Sequence, residues 1–331
     1  MANGSTSIDV AKLAQVSQSA VSRSFTVGAS VSALTRAKVL DAAKKLGYRP
    51  NAIARSLSTR KSRMIGVVMS YLDNQFYPLV LEKLSQALQQ QGYHVLLFIG
   101  DTSEADAVLS DILQYQVDGL VLASTSVSSA LANICADAGI PVVLFNRTTR
   151  NNQSASAVVC DNHAGGAAIA QHLVQRGCQR IAFIAGTQDS STNLEREAGF
   201  MQGLALAGQR CYARAVGDYD FLQAQQAAHE LFAKADTRPD AVFVANDHMA
   251  IAVMDVLRQQ LGLQVPQDVR VAGFDDVPQA AWGAYQLTSV TQALNPMIAA
   301  TVDLLIEQIN GTVSPQTRTI ACELIARQST Q

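Results

Sequence analysis

From Met64 onward the chain alternates between short apolar runs and longer amphipathic stretches, and few architectures accept that order. The runs are Ile65–Met69, Val95–Ile99, Gly119–Ala123, Val142–Phe145, Ala157–Cys160, Ile181–Ala185, Ala241–Ala245 and Val269–Gly273. Helical spacing fills several intervals, at Leu79–Gln91, Ala164–Arg176, Glu195–Ala207 and Met249–Gln260. Strand then helix, repeated, predicts parallel sheets with helices on both faces. About ten strands exceed one comfortable sheet, so two α/β lobes are expected. Ligands bind such sheets beyond the carboxyl ends of the strands. That rule singles out Ser70–Tyr77, Asn146–Arg147, Asp161–His163, Gly186–Arg196, Asn246–His248 and Asp275–Asp276, all with polar or aromatic groups.

The first 63 residues have another texture. They hold 11 Lys and Arg against Asp9 and Asp41, a net of +9, whereas the remainder holds 14 basic against 25 acidic residues, a net of −11. A basic head on an acidic body suggests a polyanion-binding module joined to something that binds no polyanion. The head reads as short helices. Ser7 is the expected N-cap before Ile8–Ala14, Ser17 before Gln18–Phe25, and Ser32 before Ala33–Leu46, which Gly47 ends. Val10, Leu13, Val21, Val39 and Leu46 are the expected core of this head. Pro50 then suits the first position of another helix, Asn51–Ser58. Eight residues are too few for a helix standing alone in water, so this one is expected to form only when docked.

Several classes are excluded. Apolar residues make up 48% and charged residues 16%, enough for a large core, yet no run of about 18 apolar residues would span a membrane. The opening MANGSTSIDVAKL lacks a basic-then-apolar segment, so no secretory signal is expected. Five scattered cysteines form no Cys-x-x-Cys pair, which suits a reducing cytoplasm. No phosphate loop, dinucleotide fingerprint or nucleophile elbow is present, and the histidines lack metal-ligand spacing. Asp275-Asp276 is read as a hydrogen-bonding pair rather than an acid–base pair, because no nucleophile or metal set accompanies it. Neither a cofactor nor catalysis is expected.

Ile8-Asp9-Val10-Ala11, Val16-Ser17, Ala20-Val21-Ser22-Arg23 and Leu46-Gly47-Tyr48-Arg49-Pro50-Asn51 together resemble the head of LacI/GalR transcriptional repressors. Ile65-Gly66-Val67-Val68, Val117-Asp118-Gly119-Leu120, Gly139-Ile140-Pro141-Val142-Val143, Ala245-Asn246-Asp247 and Gly273-Phe274-Asp275-Asp276 are similar to landmarks of that family's sugar-binding core, in order and across nearly the whole chain. The resemblance implies an all-α helix-turn-helix domain at 1–50 and a hinge helix and linker at 51–63. A two-lobed, periplasmic-binding-protein-like core of doubly wound parallel sheets would fill 64–331. Its N-lobe would take about 64–160 and 292–320, and its C-lobe about 161–291 and 321–331. One departure is Gln15, where the family often has Gly in the turn between its first two helices; a non-Gly residue there costs about 1 kcal/mol. The other is that no leucine heptad follows Leu324–Thr330, so a homodimer is expected.

The second helix of a helix-turn-helix enters the major groove with its first residues on base edges. By resemblance, Gln18 and Ser19 take the specificity positions and Arg23 a frequent base contact, with Ser17 and Ser22 on phosphates and Ser7 a further DNA contact. The hinge would insert Leu57 into the minor groove as an apolar wedge, with Asn51 and Arg55 beside it. In the body, Arg196, Asn246 and Asp275 match the family's cleft residues. Tyr219 lies where relatives place an aromatic over a sugar face, and Tyr71, Asp73 and Phe76 would form the opposite wall. Asn146, Arg147 and Cys160 border the crossover, as ligand contacts or as hinge structure. The implied protein is a cytoplasmic regulator, bound to the nucleoid when on DNA. It would repress a carbohydrate operon, binding a palindromic operator as a dimer under a small sugar, polyol or sugar-acid effector. A neutral sugar suits the Arg196–Asp275 pair and is favoured; a sugar acid or phosphate would use Arg147, His163 and Arg196 together. A periplasmic binding protein would explain two lobes but not the basic head. A sugar isomerase or dehydrogenase would need a metal set or a cofactor loop.

Overall fold

The computed structural model describes residues 5–26, 28–49, 61–99, 112–123, 134–135, 137–148 and 154–331. The chain divides into a head, Met1–Ser62, and a body, Arg63–Gln331. The segment 50–60, with Asn51, Arg55 and Leu57 of the expected hinge, lies outside the described residues.

Among its described residues the head has three helices: α1 (Ser7–Ala14), α2 (Gln18–Ser24) and α3 (Ala33–Leu46). Ser17 and Ser32 cap α2 and α3 as expected, their hydroxyls accepting from Ala20 N and Thr35 N. The cap of α1 is Thr6 and not Ser7. The Asp9 carboxylate accepts from Thr6 N at 2.9 Å and from its hydroxyl at 2.7 Å, while Thr6 Oγ1 accepts from Asp9 N. This reciprocal box satisfies two orphan donors, which a cap at Ser7 would leave to water. Gln15 closes α1 at φ 54° and Gly47 closes α3 at φ 62°. Val10, Val21 and Val39 meet Ala11, Ala14, Ala42 and Ala43 in the head's core, with Leu46 packed at its edge. Leu13 is a correction, because it is 50% exposed. The buried stripe of α1 runs through Val10, Ala11 and Ala14, and Leu13 lies about 110° round from its middle.

In the body the strands form two six-stranded sheets. The first comprises β1 (Met64–Met69), β2 (His94–Ile99), β3 (Gly119–Ala123), β4 (Val142–Phe145), β5 (Ser156–Cys160) and β11 (Thr317–Ile320), in the order β11-β5-β4-β3-β1-β2 and parallel throughout. The second comprises β6 (Ile181–Ala185), β7 (Ala213–Val216), β8 (Ala241–Val244), β9 (Arg270–Asp275), β10 (Thr288–Thr291) and β12 (Glu323–Ile325), in the order β12-β10-β9-β8-β6-β7. Only β12 runs antiparallel, against β10. The chain thus passes between sheets after Cys160, returns after Thr291, and crosses again between Ile320 and Glu323. Helix α4 (Phe76–Gln90) follows β1, and α9 (Leu294–Ile309) packs on the first sheet. Around the second sheet lie α5 (Asn162–Gln175), α6 (Ser191–Leu206), α7 (Phe221–Phe232) and α8 (Asp247–Asp255).

Helices α5 and α6 touch backbone to backbone. A Cβ on Gly166 would stand 2.1 Å from the Arg196 carbonyl oxygen, and one on Gly199 would stand 1.9 Å from that of His163. This approach sets the height at which α6 presents its first turns to the cleft. No helix among the described residues is long and apolar enough to cross a membrane.

Candidate functional site

A cleft opens where the carboxyl ends of the two sheets face each other. The first lobe lines it with Tyr71, Asn74, Phe76 and Tyr77 after β1, and with Asn146 and Arg147 after β4. The second lobe contributes Thr192 and Arg196 of α6, Tyr219 after β7, Asn246 after β8, and Asp275 at the end of β9. The strand-end rule explains why loops converge here. Backbone strain gathers at the same ends: Tyr71, Asn146, Tyr219, Asp275 and Asp276 all have positive φ, from 52° to 120°. Each costs of order 1–3 kcal/mol, a cost that clusters at functional sites.

Arg196 organises the floor. It is buried, its guanidinium 3.7 Å from the centre of the Phe274 ring. Nε donates to Asn162 Oδ1 at 2.8 Å, Nη1 to the Ala245 carbonyl at 2.6 Å, and Nη2 lies 3.2 Å from Asp275 Oδ1. Asp275 Oδ1 also accepts from Gln292 Nε2 at 2.5 Å. Burial pushes the Asp275 carboxyl up to about 6, against the pull of Arg196 and Gln292. Between pH 4 and 6 the folded chain therefore holds a proton that the unfolded chain has released. The stabilising contribution is complete below the ordinary 3.8 and is lost as pH rises through 6, a change of about 3 kcal/mol. Replacing Asp275 with Asn is expected to flatten this decline. Urea unfolding of both proteins from pH 4 to 7 checks it, and curves that stay parallel would refute it.

The neighbouring aspartates have separate tasks. Asp276 pairs with Arg327 at 2.7 Å and directs its carboxylate away from the cleft wall. Buried Asp247 accepts from Ser289 Oγ at 2.7 Å and Val277 N at 3.0 Å. Burial, then the charge of Asp275, raises its pKa well above the ordinary range.

Tyr219 lies over Gly186, where a Cβ would come within 2.2 Å of its ring. Its hydroxyl is 3.1 Å from Thr192 Oγ1, so the ring is clamped face and tip. Asn246 caps α8 through Met249 N while lining the cleft. Tyr71 and Phe76 stand on the opposite wall. Asp73 and Cys160 do not line it. Asp73 is largely exposed, 3.7 Å from His248 Nε2, and Cys160 is buried with its thiol against that of Cys322. Burial is why Cys160 reaches no solvent-facing wall. Asn74, Tyr77, Asn162 and Thr192 fall within the strand-end loops expected from the sequence without being named there individually, and Gln292 falls outside them. Gln292 follows β10, a strand whose residues Thr288-Ser289-Val290-Thr291 carry little apolar signal.

In the head, Gln18, Ser19, Ser22 and Arg23 lie exposed on α2. Ser17 Oγ is occupied, accepting from Ala20 N at 3.2 Å and lying 3.0 Å from Ser19 Oγ. Ser7 Oγ accepts from Gln18 Nε2 at 3.0 Å, so Ser7 holds the Gln18 side chain in place. Arg36, donating to the Ser24 and Ala29 carbonyls, ties the loop after α2 to α3.

Two family descriptions match the chain: bacterial regulatory proteins, lacI family, over residues 8–51, and the periplasmic binding protein-like domain over 170–330. The HTH-type transcriptional regulator CelR of Thermobifida fusca is 34% identical over 97% of this chain and 96% of its own length. Catabolite control protein A of Priestia megaterium is 31% identical over 98% of both chains. The ribose operon repressor of Escherichia coli K12 is 32% identical over 94% of both. Among solved structures, the lac repressor dimer bound to operator and the anti-inducer ONPF has a TM-score of 0.88 at 26% identity, covering 99% of each chain. The CelR–cellobiose complex has a TM-score of 0.74 at 32% identity, covering 98% of this chain and 99% of that one.

Proposed function

The chain belongs to the lacI family of bacterial regulatory proteins, and on that premise we propose that it represses a carbohydrate-utilisation operon under the control of a small sugar-like effector. It is a transcriptional regulator and not an enzyme. It binds a palindromic operator as a homodimer, acts in the cytoplasm and associates with the nucleoid when on DNA. One observation carries this reading: a head with an exposed α2 face is joined to a body whose two sheets converge on a polar cleft.

On DNA, α2 lies in the major groove. Gln18 pairs with a base edge, its amide steadied by Ser7. Ser19 and Arg23 read neighbouring positions, and Ser7, Ser17 and Ser22 fix the register on phosphates. Asn51, Arg55 and Leu57 of the paired hinges occupy the minor groove at the operator's centre. In the body, Arg196, Asn246 and Asp275 hold the effector from one side, with Tyr219 across its face. Tyr71, Phe76, Asn146 and Arg147 hold it from the other. Effector closure of the lobes shifts the first lobes against each other across the dimer and so resets the hinges. Such coupling is typically worth about 1–3 kcal/mol, and the effector must favour one of the two states.

The test is selection of bound duplexes from a random pool, with wild type and with Gln18→Ala. Wild type is expected to enrich a short palindrome with a deformable central step. The variant is expected to relax preference at one position of each half-site, by about 1–3 kcal/mol, with the salt dependence nearly unchanged. No enriched palindrome, with and without a metabolite pool, would remove the reading. An unchanged motif for the variant would remove Gln18 from the readout.

A further inference from the structure

The two cleft arginines are provided for very differently. Arg196 has a partner for Nε and for both terminal nitrogens. Arg147 has none for its buried Nε, and among the described residues no carboxylate pairs with it. Three phenols surround it instead. Tyr77 hydrogen-bonds it, the Tyr219 ring centre lies 5.7 Å from its guanidinium carbon, and Tyr71 stands near. Burial is the largest influence on its charge and opposes it; the phenols favour the charge, but none of them is a counterion.

The nearby carboxylate is already committed, since Asp275 Oδ1 takes Arg196 and Gln292. Asp247 lies behind the wall with both oxygens bonded. Of the residues lining the cleft, two are guanidiniums and one is a carboxylate. Asn146 Oδ1, next in sequence and also lining the cleft, is a buried acceptor without a donor. Among the described residues, therefore, a cation lacking a counterion and an acceptor lacking a donor stand side by side. A buried charge left unpaired is costly, and an oxyanion bonded to an Arg fork removes that cost. A hydroxyl beside the oxyanion would satisfy Asn146.

We infer that the effector is a hydroxylated anion, a sugar carrying one carboxylate or phosphate ester, whose charged group seats on Arg147 with a neighbouring hydroxyl on Asn146. This rests on the cleft being the effector site. It departs from the neutral sugar that the Arg196–Asp275 pair suggested, because that pair is spent largely on itself and on Asn162, Ala245 and Gln292.

The test is thermal unfolding of the full-length protein at fixed ionic strength. The probes are common pentoses and hexoses, their aldonic and uronic acids, their phosphate esters, and acetate and inorganic phosphate. Wild type, Arg147→Met, Arg147→Lys and Asp275→Asn are compared. The expected result is that acids or esters stabilise wild type more than their neutral parents do. Affinity should fall about ten- to hundredfold in Arg147→Met and recover partly in Arg147→Lys, whose charge lacks the fork. Acetate and phosphate should show the same order weakly, and whichever of acids or esters binds better identifies the group. The inference is overturned if only neutral sugars bind and Arg147→Met leaves their affinity unchanged. It is equally overturned if no anion, acetate and phosphate included, stabilises beyond chloride. Neutral sugars that still depend on Asp275 would keep the cleft as effector site while removing the anion. Ligand binding indifferent to both Arg147→Met and Asp275→Asn would remove both.

Discussion

Replacing Arg196 with alanine is expected to abolish the effector response and to lower the stability of the body by about 3–5 kcal/mol, the usual cost of stranding one partner of a buried pair. The carboxylate of Asp275 would keep Gln292 alone, and Asn162 Oδ1 and the Ala245 carbonyl would each lose a donor. The face of Phe274 would lose the guanidinium stacked on it. Arg196→Lys separates the two effects. It retains a charge near Asp275 but cannot reach three acceptors at once, so stability recovers partly while the response stays lost. Urea unfolding reads the first effect. Operator binding with and without effector, followed by fluorescence anisotropy, reads the second. A response of unchanged size in either variant would exclude Arg196 from the effector site.

Replacing Gly199 with alanine is expected to cost about 3 kcal/mol and to weaken effector binding, although one methyl group is all that changes. The methyl would stand 1.9 Å from the His163 carbonyl oxygen, against backbone that cannot swing away as a side chain can. Helix α6 would have to lift off α5, carrying Thr192 and Arg196 with it. Gly283→Ala is the control, since nothing lies within 4 Å of a Cβ there. Thermal unfolding compares them. Equal midpoints would mean that the two helices relax apart freely.

What the sequence disclosed follows the strength of its periodic signals. Strands such as β1, β6 and β8, buried along nearly their whole length, read as unbroken apolar runs, and the strand-end loops expected after them line the cleft. Strand β10 escaped, since Thr288 and Ser289 are buried polar residues satisfied by Arg327, Ser329, Thr330 and Asp247. With β10 unread, Gln292 at its end had no reason to be noticed. The edge strands β7, β11 and β12 are short and half polar, below what alternation can reveal. Leu13 misled because eight residues of α1 show too little period to fix which side is covered. Asn162 fell inside an expected strand-end loop, but its role was hidden: it accepts from Nε of Arg196, 34 positions away, which no local pattern encodes.

The final crossing between the sheets has a consequence for synthesis. Each lobe needs an edge strand from the last segment of the chain, β11 against β5 and β12 against β10. Buried Ser329 and Thr330 then bond back to Val271 and Thr288. The helical head, with its own core, leaves the ribosome before the body and can fold at once. Both lobes wait, unfinished, for residues 317–330. A message cut short before them yields a head able to fold but attached to two open sheets, so the switch is born only after the part that it governs.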